Sequence, residues 1–426
     1  VPHLVMLGGV YETLGLAKLA AAVYRGVLSE RCNFVFDVMV RLINLGETPA
    51  EVMRLYRRES IREPDIRRGE PQENQDGTRR GTLRRALVPA YSLPQWLYPF
   101  TEGLHLMKKH RFSNGAAVFQ KLETLYGDNL PLLEYVAVND VYSDNLASAR
   151  KTFQRILRLD PDYISSMDTY GSVLKKLSLI PELRQLSRRL MRTASHRRES
   201  WSTASILHAA VQPKQYQAVV ALVDKALSLD PTYWFGYVQK GWVLLRQGMN
   251  VEALGCFRRA LQISDNVFAY TGVVRAKLAR NENAAATDVA NACFKKYSLS
   301  PIALALLGNC LSRFPEGHEK AAILYRNALK LDKHSIDAIA GITELLVVEE
   351  KFDEVVEILE KHLEYGRHMD LLHTRLAEVY HLSNHQAKAL EHYNAALSIN
   401  PNLEVAKEGL EVLLKDADEE DTMDNG

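Results

Sequence analysis

Histidines supply the most tempting chemistry in the chain. His362, His368, His373, His381, His385 and His392 fall within one short stretch, and imidazoles four residues apart on one helix face are a common way to hold zinc. His381 and His385 have that spacing. Ser383-Asn384 between them reads as a turn, however, so the pair should not share a helix face. No Glu follows His381 to complete a His-Glu-x-x-His arrangement, in which a carboxylate serves as base beside the metal. The pattern predicts no metal site. Cys32, Cys256, Cys293 and Cys310 include no Cys-x-x-Cys pair; they read as small apolar residues of a reducing compartment.

Catalytic constellations are missing too. The sequence holds no Gly-x-Ser-x-Gly elbow, no phosphate loop ending in Gly-Lys-Ser/Thr and no Gly-x-Gly-x-x-Gly after a strand. The glycines between Leu7 and Gly15 lie in a helical pattern. Carboxylate pairs such as Glu349-Glu350 and Asp353-Glu354 flank turns and open helices, where acids favour the N-terminal dipole. No catalytic residue and no cofactor is expected, and the chain reads as a non-enzyme.

What positions these residues is plainest between Trp234 and Val267. Tyr237, Gly241 and Leu244 share one stripe of a first helix, and Ala253, Phe257 and Ala260 share one stripe of a second, with Gln247-Gly248 as the turn. Gly241, Ala253 and Ala260 let the backbones approach, while the larger side chains fill the space beside them. Neither helix can bury its stripe alone. The hairpin recurs: from the Ala253 slot the same position runs forward to Ala286, Ala321, Val355 and Ala389, in steps of 33, 35, 34 and 34. Backward it runs to Val219, Leu183, Ala149 and Gly115, in steps of 34, 36, 34 and 34. The slot four residues later holds Phe119, Phe153, Ser187, Val223, Phe257, Ala290, Tyr325, Leu359 and Tyr393, and a third holds Ala226, Ala260, Ala328 and Ala396. Pro161, Pro231 and Pro401 follow second helices, where a residue without an N–H ends the segment. A period near thirty-four is the tetratricopeptide spacing. The fold class expected is all-α, a tetratricopeptide-repeat right-handed superhelical solenoid.

The 426 residues can therefore form an elongated array, so length alone does not count the domains. Two N-terminal units are expected over 1–58, with Leu4, Leu7, Gly8, Tyr11, Ala20 and Tyr24 in phase, then Leu42, Leu45, Val52, Met53 and Leu55. A basic segment over 59–92 lacks large apolar side chains at its centre and reads as a disordered insertion. Its arginines suggest a nucleic-acid arm as the alternative, but interleaved acids and the lack of an aromatic in its Arg-rich part, Arg57–Arg85, favour a solvated linker. Nine units follow over 93–403, then a capping helix over 404–415 and an acidic, disordered tail over 416–426. A formal charge of +1 and a hydrophobic content of 47% fit a soluble protein. No apolar run approaches the roughly 18 residues of a membrane span, so neither membrane nor nucleic acid is an expected partner. The chain opens on Val, already in repeat phase and without a signal peptide pattern, which suggests that the fuller protein continues upstream.

A repeat array offers a concave face lined by first helices. Phe235, Val238, Trp242 and Arg246 should face inward in the central unit, with Trp201 and His208 before it and Arg275 after it. Trp and Arg dominate binding hot spots, and Trp242 should find no neighbour within its own hairpin. Packing of these residues against one another within the array is the competing reading. Cochaperones of this repeat class grip C-terminal carboxylates through Lys and Asn in fixed first-helix slots; here those slots hold Val5 and Gly9, Glu134 and Val138, Ala204 and His208, and Val238 and Trp242. A carboxylate clamp is excluded.

The string Leu159-Asp160-Pro161-Asp162-Tyr163-Ile164-Ser165-Ser166-Met167-Asp168-Thr169-Tyr170-Gly171 resembles one found in tetratricopeptide subunits of the anaphase-promoting complex, or cyclosome. The likeness is greatest to the subunit 7 type. It covers the two units before Arg57 and the region from about Leu93 to Lys415, including the widely spaced repeat with Leu183 in the small slot, and the intervening linker departs from it. The resemblance implies a non-catalytic scaffold of a ubiquitin ligase acting in mitotic exit, in the nucleus and cytoplasm. It implies other subunits of that complex as partners, and homodimers of the full-length protein through N-terminal repeats expected upstream of this chain. A tetratricopeptide adaptor of another complex is the alternative.

Overall fold

The computed structural model describes residues 2–13, 16–29, 36–60, 95–366, 368–401 and 403–424. Among the described residues every regular element is helical, and no strand occurs. The chain divides into two compact units, Val1–Val173 and Leu174–Gly426.

The first unit is built of hairpins. Helix α1 (Pro2–Thr13) pairs with α2 (Ala17–Ser29), α3 (Phe36–Asn44) with α4 (Pro49–Ser60), α5 (Leu97–Lys108) with α6 (Phe112–Tyr126), and α7 (Leu130–Tyr142) with α8 (Leu146–Leu159). One core runs from Ala20, Tyr24 and Val27 through Met39, Leu42 and Val52 to Phe100, Phe119 and Val136. Helices α3 and α4 both pack on α5, so the repeat stacking resumes directly across the predicted insertion. That insertion, expected over 59–92, lies outside the described residues except for Glu59 and Ser60 at the end of α4. Cys32 also lies outside them.

Helix α9 (Met167–Lys176) spans the boundary, and α10 (Ile180–Thr193) is the first helix wholly within the second unit. There α11 (Arg198–Val211) pairs with α12 (Tyr216–Leu229), α13 (Trp234–Arg246) with α14 (Asn250–Ile263), and α15 (Val267–Leu278) with α16 (Asn283–Lys296). Next come α17 (Pro301–Leu311) with α18 (His318–Leu331), α19 (Ile336–Val348) with α20 (Phe352–Leu363), and α21 (Met369–Leu382) with α22 (Gln386–Ile399). The last helix, α23 (Glu404–Asp424), packs on α21 and α22. It continues nine residues past the boundary expected at Lys415 and takes in most of the stretch read as an unstructured tail. Between Lys415 and Asp424 no Gly or Pro interrupts the helix, and Ala, Glu and Met favour it.

Periodic small residues explain why the hairpins stack. Phe257 on α14 lies against two glycines, one on its own partner helix and one on the next repeat. A Cβ added to Gly241 would sit 2.6 Å from its ring, and one added to Gly272 only 2.2 Å from it. Tyr325 on α18 stands in the same way between Gly308 and Gly341. Phe119 abuts Gly103, Tyr24 abuts Gly8, and Tyr393 abuts Gly409 on the terminal helix. Every residue of the bulky slot from Phe119 to Tyr393 is buried, as are the Ala226, Ala260, Ala328 and Ala396 positions. The aromatic ring is thus a wedge shared by two hairpins, and it accounts for the inability of one hairpin to stand alone.

The turns repeat as closely as the cores. His110, Asp144, Ser178, Asn281, Glu350 and Asn384 all take positive φ, between 55° and 63°, where the first helix of a hairpin gives way to the second, and Gly248 does so at 78°. At each, the following N–H reaches back five residues in the hydrogen-bond pattern of a helix C-cap: Asn145 to Asp140, Met249 to Leu244, Lys351 to Leu346, His385 to Tyr380. Second helices end on a different device. The carboxylates of Asp160, Asp230 and Asp332 accept from the backbone N–H groups of Asp162, Thr232 and His334, turning the chain into the next repeat.

Candidate functional site

Of the seven residues read as a binding face, Trp242 and Arg275 are brought together. Trp242 on α13 is half-buried, and the Arg275 guanidinium, exposed on α15, lies over its ring at 5.5 Å from the centroid. The packing of α13 on α15 sets this contact. It places a cation on an aromatic face with the guanidinium still open to solvent. Trp242 does have a neighbour in its own hairpin, contrary to expectation. Its ring meets Phe257 edge to face, with centroids 5.3 Å apart and planes at 69°. The reason is the glycine pair: with no side chain at Gly241 or Gly272, the Phe257 ring reaches the inner helix.

The remaining residues separate. Arg246, exposed at the end of α13, lies over Tyr216 at the start of α12, 5.8 Å from its centroid. Phe235 is half-buried in the first turn of α13 and edge-on to Tyr233 and Trp234. Val238 is 4% exposed and belongs to the core, so it offers nothing to a partner. Trp201 donates from its indole N–H to the Ser195 carbonyl at 2.7 Å and has Lys225 over its ring, which ties it to the α10–α11 loop and to α12. His208 is half-buried in the last turn of α11, and its Nδ1 is buried without a hydrogen-bond partner among the described residues. Only Val238 is removed by burial; Arg246 and Arg275 are exposed, and Trp201, His208, Phe235 and Trp242 are half-buried.

A polar lock beside this face escapes a periodicity argument. Ser202 on α11 bonds the Tyr233 hydroxyl at 2.9 Å and donates to Gln239 of α13 at 3.1 Å. Arg198 stacks over Tyr233 at 4.6 Å and pairs with Asp230. These contacts fix α11 relative to α13. In the first unit Glu134 on α7 plays a comparable part, accepting from the hydroxyls of Tyr163, Ser165 and Ser166 in the loop before α9. Within that same string Met167 and Tyr170 are buried, and Tyr170 stacks on Phe153 at 4.9 Å. The clue available in the sequence was the run of short polar residues beside a buried aromatic.

The arrangement does not activate a nucleophile at these thiols. Burial pushes the Cys293 thiol up to about 12 and the Cys310 thiol up to about 11, and it raises Cys256 as well, so all three stay protonated at neutral pH. Among the histidines, His373 and His392 stack with their Nδ1 atoms 2.9 Å apart, and Tyr380 stacks in turn on His392. Burial holds both imidazoles below the ordinary histidine range. His381 closes α21 and His385 precedes α22, with left-handed Asn384 between them, so the two are on different helices. Among the described residues no group of three or more His, Cys, Asp or Glu side chains is placed to hold a metal ion. No described helix is long and apolar enough to cross a membrane.

Known proteins place this architecture. The tetratricopeptide repeat family model matches residues 372–403, which take in most of α21 and all of α22. The chain is 32% identical over 337 residues to anaphase-promoting complex subunit 7 of Dictyostelium discoideum, covering 77% of this chain and 57% of the relative. It is 25% identical to subunit 7 of Arabidopsis thaliana, covering 96% of this chain and 69% of that one, and 26% identical to the Homo sapiens subunit 7, covering 99% and 70%. The chain thus spans a little over half of the slime-mould relative and about seven-tenths of the other two. Among solved structures, the crystal structure of the APC/C hetero-tetramer Cut9-Hcn1 aligns with a TM-score of 0.60 at 17% identity, covering 96% of this chain and 74% of the matched chain. Repeat phase, helical architecture and kinship agree: the chain is an all-α tetratricopeptide-repeat protein, similar along most of its length to subunit 7 of the anaphase-promoting complex.

Proposed function

We propose that the protein is a non-catalytic scaffold subunit of the anaphase-promoting complex, a ubiquitin ligase of the cell cycle, and does no ubiquitin chemistry itself. The observation that carries this reading is kinship with subunits 7 from three distant lineages along 77% to 99% of the chain. The three described thiols, held protonated, and the stacked His373–His392 pair support a reading in which the chain acts through its helical surfaces. Its partners are other subunits of that complex, with a second copy of the same protein among them; nucleus and cytoplasm are where it works. The face made by Trp242 and Arg275 suits an extended or helical segment carrying apolar and acidic side chains, since an exposed guanidinium over an aromatic ring receives both.

Capture of partner subunits by the purified chain tests this face. Trp242→Ala with Arg275→Glu should reduce capture by about tenfold or more while the circular dichroism spectrum stays unchanged. Undiminished capture would remove the face from the account, and an altered spectrum would call for Arg275→Glu alone, whose exposed side chain can be reversed without touching the core.

A further inference from the structure

Helix α10 carries a charge pattern that neither the repeat packing nor the face above uses. Its inner side follows the repeat rule, with Leu183, Leu186, Ser187 and Leu190 buried. Its outer side presents Arg184, Arg188 and Arg192, all exposed and spaced at i, i+4 and i+8. Residues at that spacing stand one above another on a helix, about 6 Å apart along its axis. Arg189 flanks the row. Between Leu174 and Arg198 the chain holds eight Lys and Arg residues against one acid, Glu182. Among the described residues no carboxylate lies within ion-pair distance of Arg184, Arg188 or Arg192, whereas Arg198 is committed to Asp230 and Glu199. A surface hollow of about 710 Å³ runs along this face, lined by the four arginines with Ile180 and Pro181 at its upper end.

Three guanidinium groups in a row cost the helix mutual repulsion and give it no internal pairing in return. Packing alone would be served as well by Lys, Gln or Glu at these exposed positions. A planar guanidinium binds carboxylates through paired hydrogen bonds, which an ammonium does not. We propose that the outer face of α10 docks an acidic helical segment of a partner protein, with Glu or Asp at i, i+4 and i+8 facing Arg184, Arg188 and Arg192. The register argues for a helix: its carboxylates rise in the same 6 Å steps as the arginines, whereas alternate residues of an extended chain advance by about 6.6 Å or more and drift out of step. Ile180 and Pro181 give the end of the segment an apolar seat.

The test uses fluorescence anisotropy with the whole chain and labelled alanine-rich peptides. One peptide carries Glu at i, i+4 and i+8, and a second carries the same number of Glu at i, i+2 and i+4. The wild type should prefer the first, and moderate salt should weaken binding because the contacts are exposed. Arg184→Glu with Arg188→Glu and Arg192→Glu should lower affinity by about tenfold or more, and the milder Arg188→Gln with Arg192→Gln should give a smaller loss in the same direction. Trp242→Ala with Arg275→Glu should leave this binding unchanged, so failure here is separable from failure of the other face. Equal binding by the wild type and both α10 variants would overturn the proposal. So would indifference to the spacing of the acids, or tighter capture of a heparin oligosaccharide than of the helical peptide, which would mark a general polyanion surface.

Discussion

At the scale of single residues, the account turns on aromatic wedges and the glycines that admit them. Phe257 touches Gly241 and Gly272 on two successive first helices, and at Gly272 even a methyl group would fall 2.2 Å from the ring. Gly272→Ala should therefore cost roughly 1 to 3 kcal/mol of stability, as overpacking does. In a Phe257→Leu background the same change should cost less, because the smaller side chain vacates the space; thermal melts of the two single variants and the double variant read that coupling. Additive losses would mean that the ring and the glycine do not share the space assigned to them. His110 gives a pH prediction. Burial, helped by the charge of Lys108, lowers its pKa from 6.5 to about 3 in the folded chain. The folded state thus refuses a proton that the unfolded state accepts below about pH 6.5, so stability is complete above that value and falls as the solution is acidified toward pH 3. At pH 5 the loss should be about 2 kcal/mol. His110→Asn, which tolerates the positive φ of this turn, should flatten the dependence between pH 7 and pH 5 in urea titrations.

At the scale of elements, hairpin turns and shared slots decide the order of the helices. Glu350 occupies the left-handed position after α19 with its side chain exposed. A residue with a Cβ costs roughly 1 to 2 kcal/mol in that region, part of which Gly returns as extra freedom in the unfolded chain. Glu350→Gly should raise stability by roughly 0.5 to 1 kcal/mol and Glu350→Val should lower it, a sign difference that melting curves read directly. The slots themselves could be read from residue types, because one packing demand recurs every thirty-four or so residues: Ala149, Ala253, Ala321 and Ala389 are each fully buried. Pro301–Leu311, apolar along almost its whole length, is a helix buried by the same demand. The binding face was less legible. Phase placed Val238 inward, but inward residues of adjacent first helices also pack on one another, and a small apolar side chain is consumed by that packing. Trp242 gained Phe257 as a neighbour through glycines on two different repeats, a three-body contact that periodicity in one hairpin does not encode. The Ser202–Tyr233–Gln239 and Glu134–Tyr163–Ser165 locks depend on loop geometry, which hydrophobic period leaves open.

At the scale of the whole molecule, the repeats supply surface where a compact enzyme would supply a cleft. Each hairpin buries one stripe against its neighbours and leaves another to solvent, so docking faces can succeed one another along the chain. With a formal net charge of +1, recognition depends on local features such as the Trp242–Arg275 pair and the α10 arginine row more than on the field of the molecule as a whole. The central claim, membership of the anaphase-promoting complex as a scaffold, is tested most directly by affinity purification of the tagged protein from dividing cells, with its companions identified by mass spectrometry. The account predicts recovery of the other subunits of that ubiquitin ligase in near-stoichiometric amounts; recovery of the protein without them, or with the members of an unrelated assembly, would contradict it.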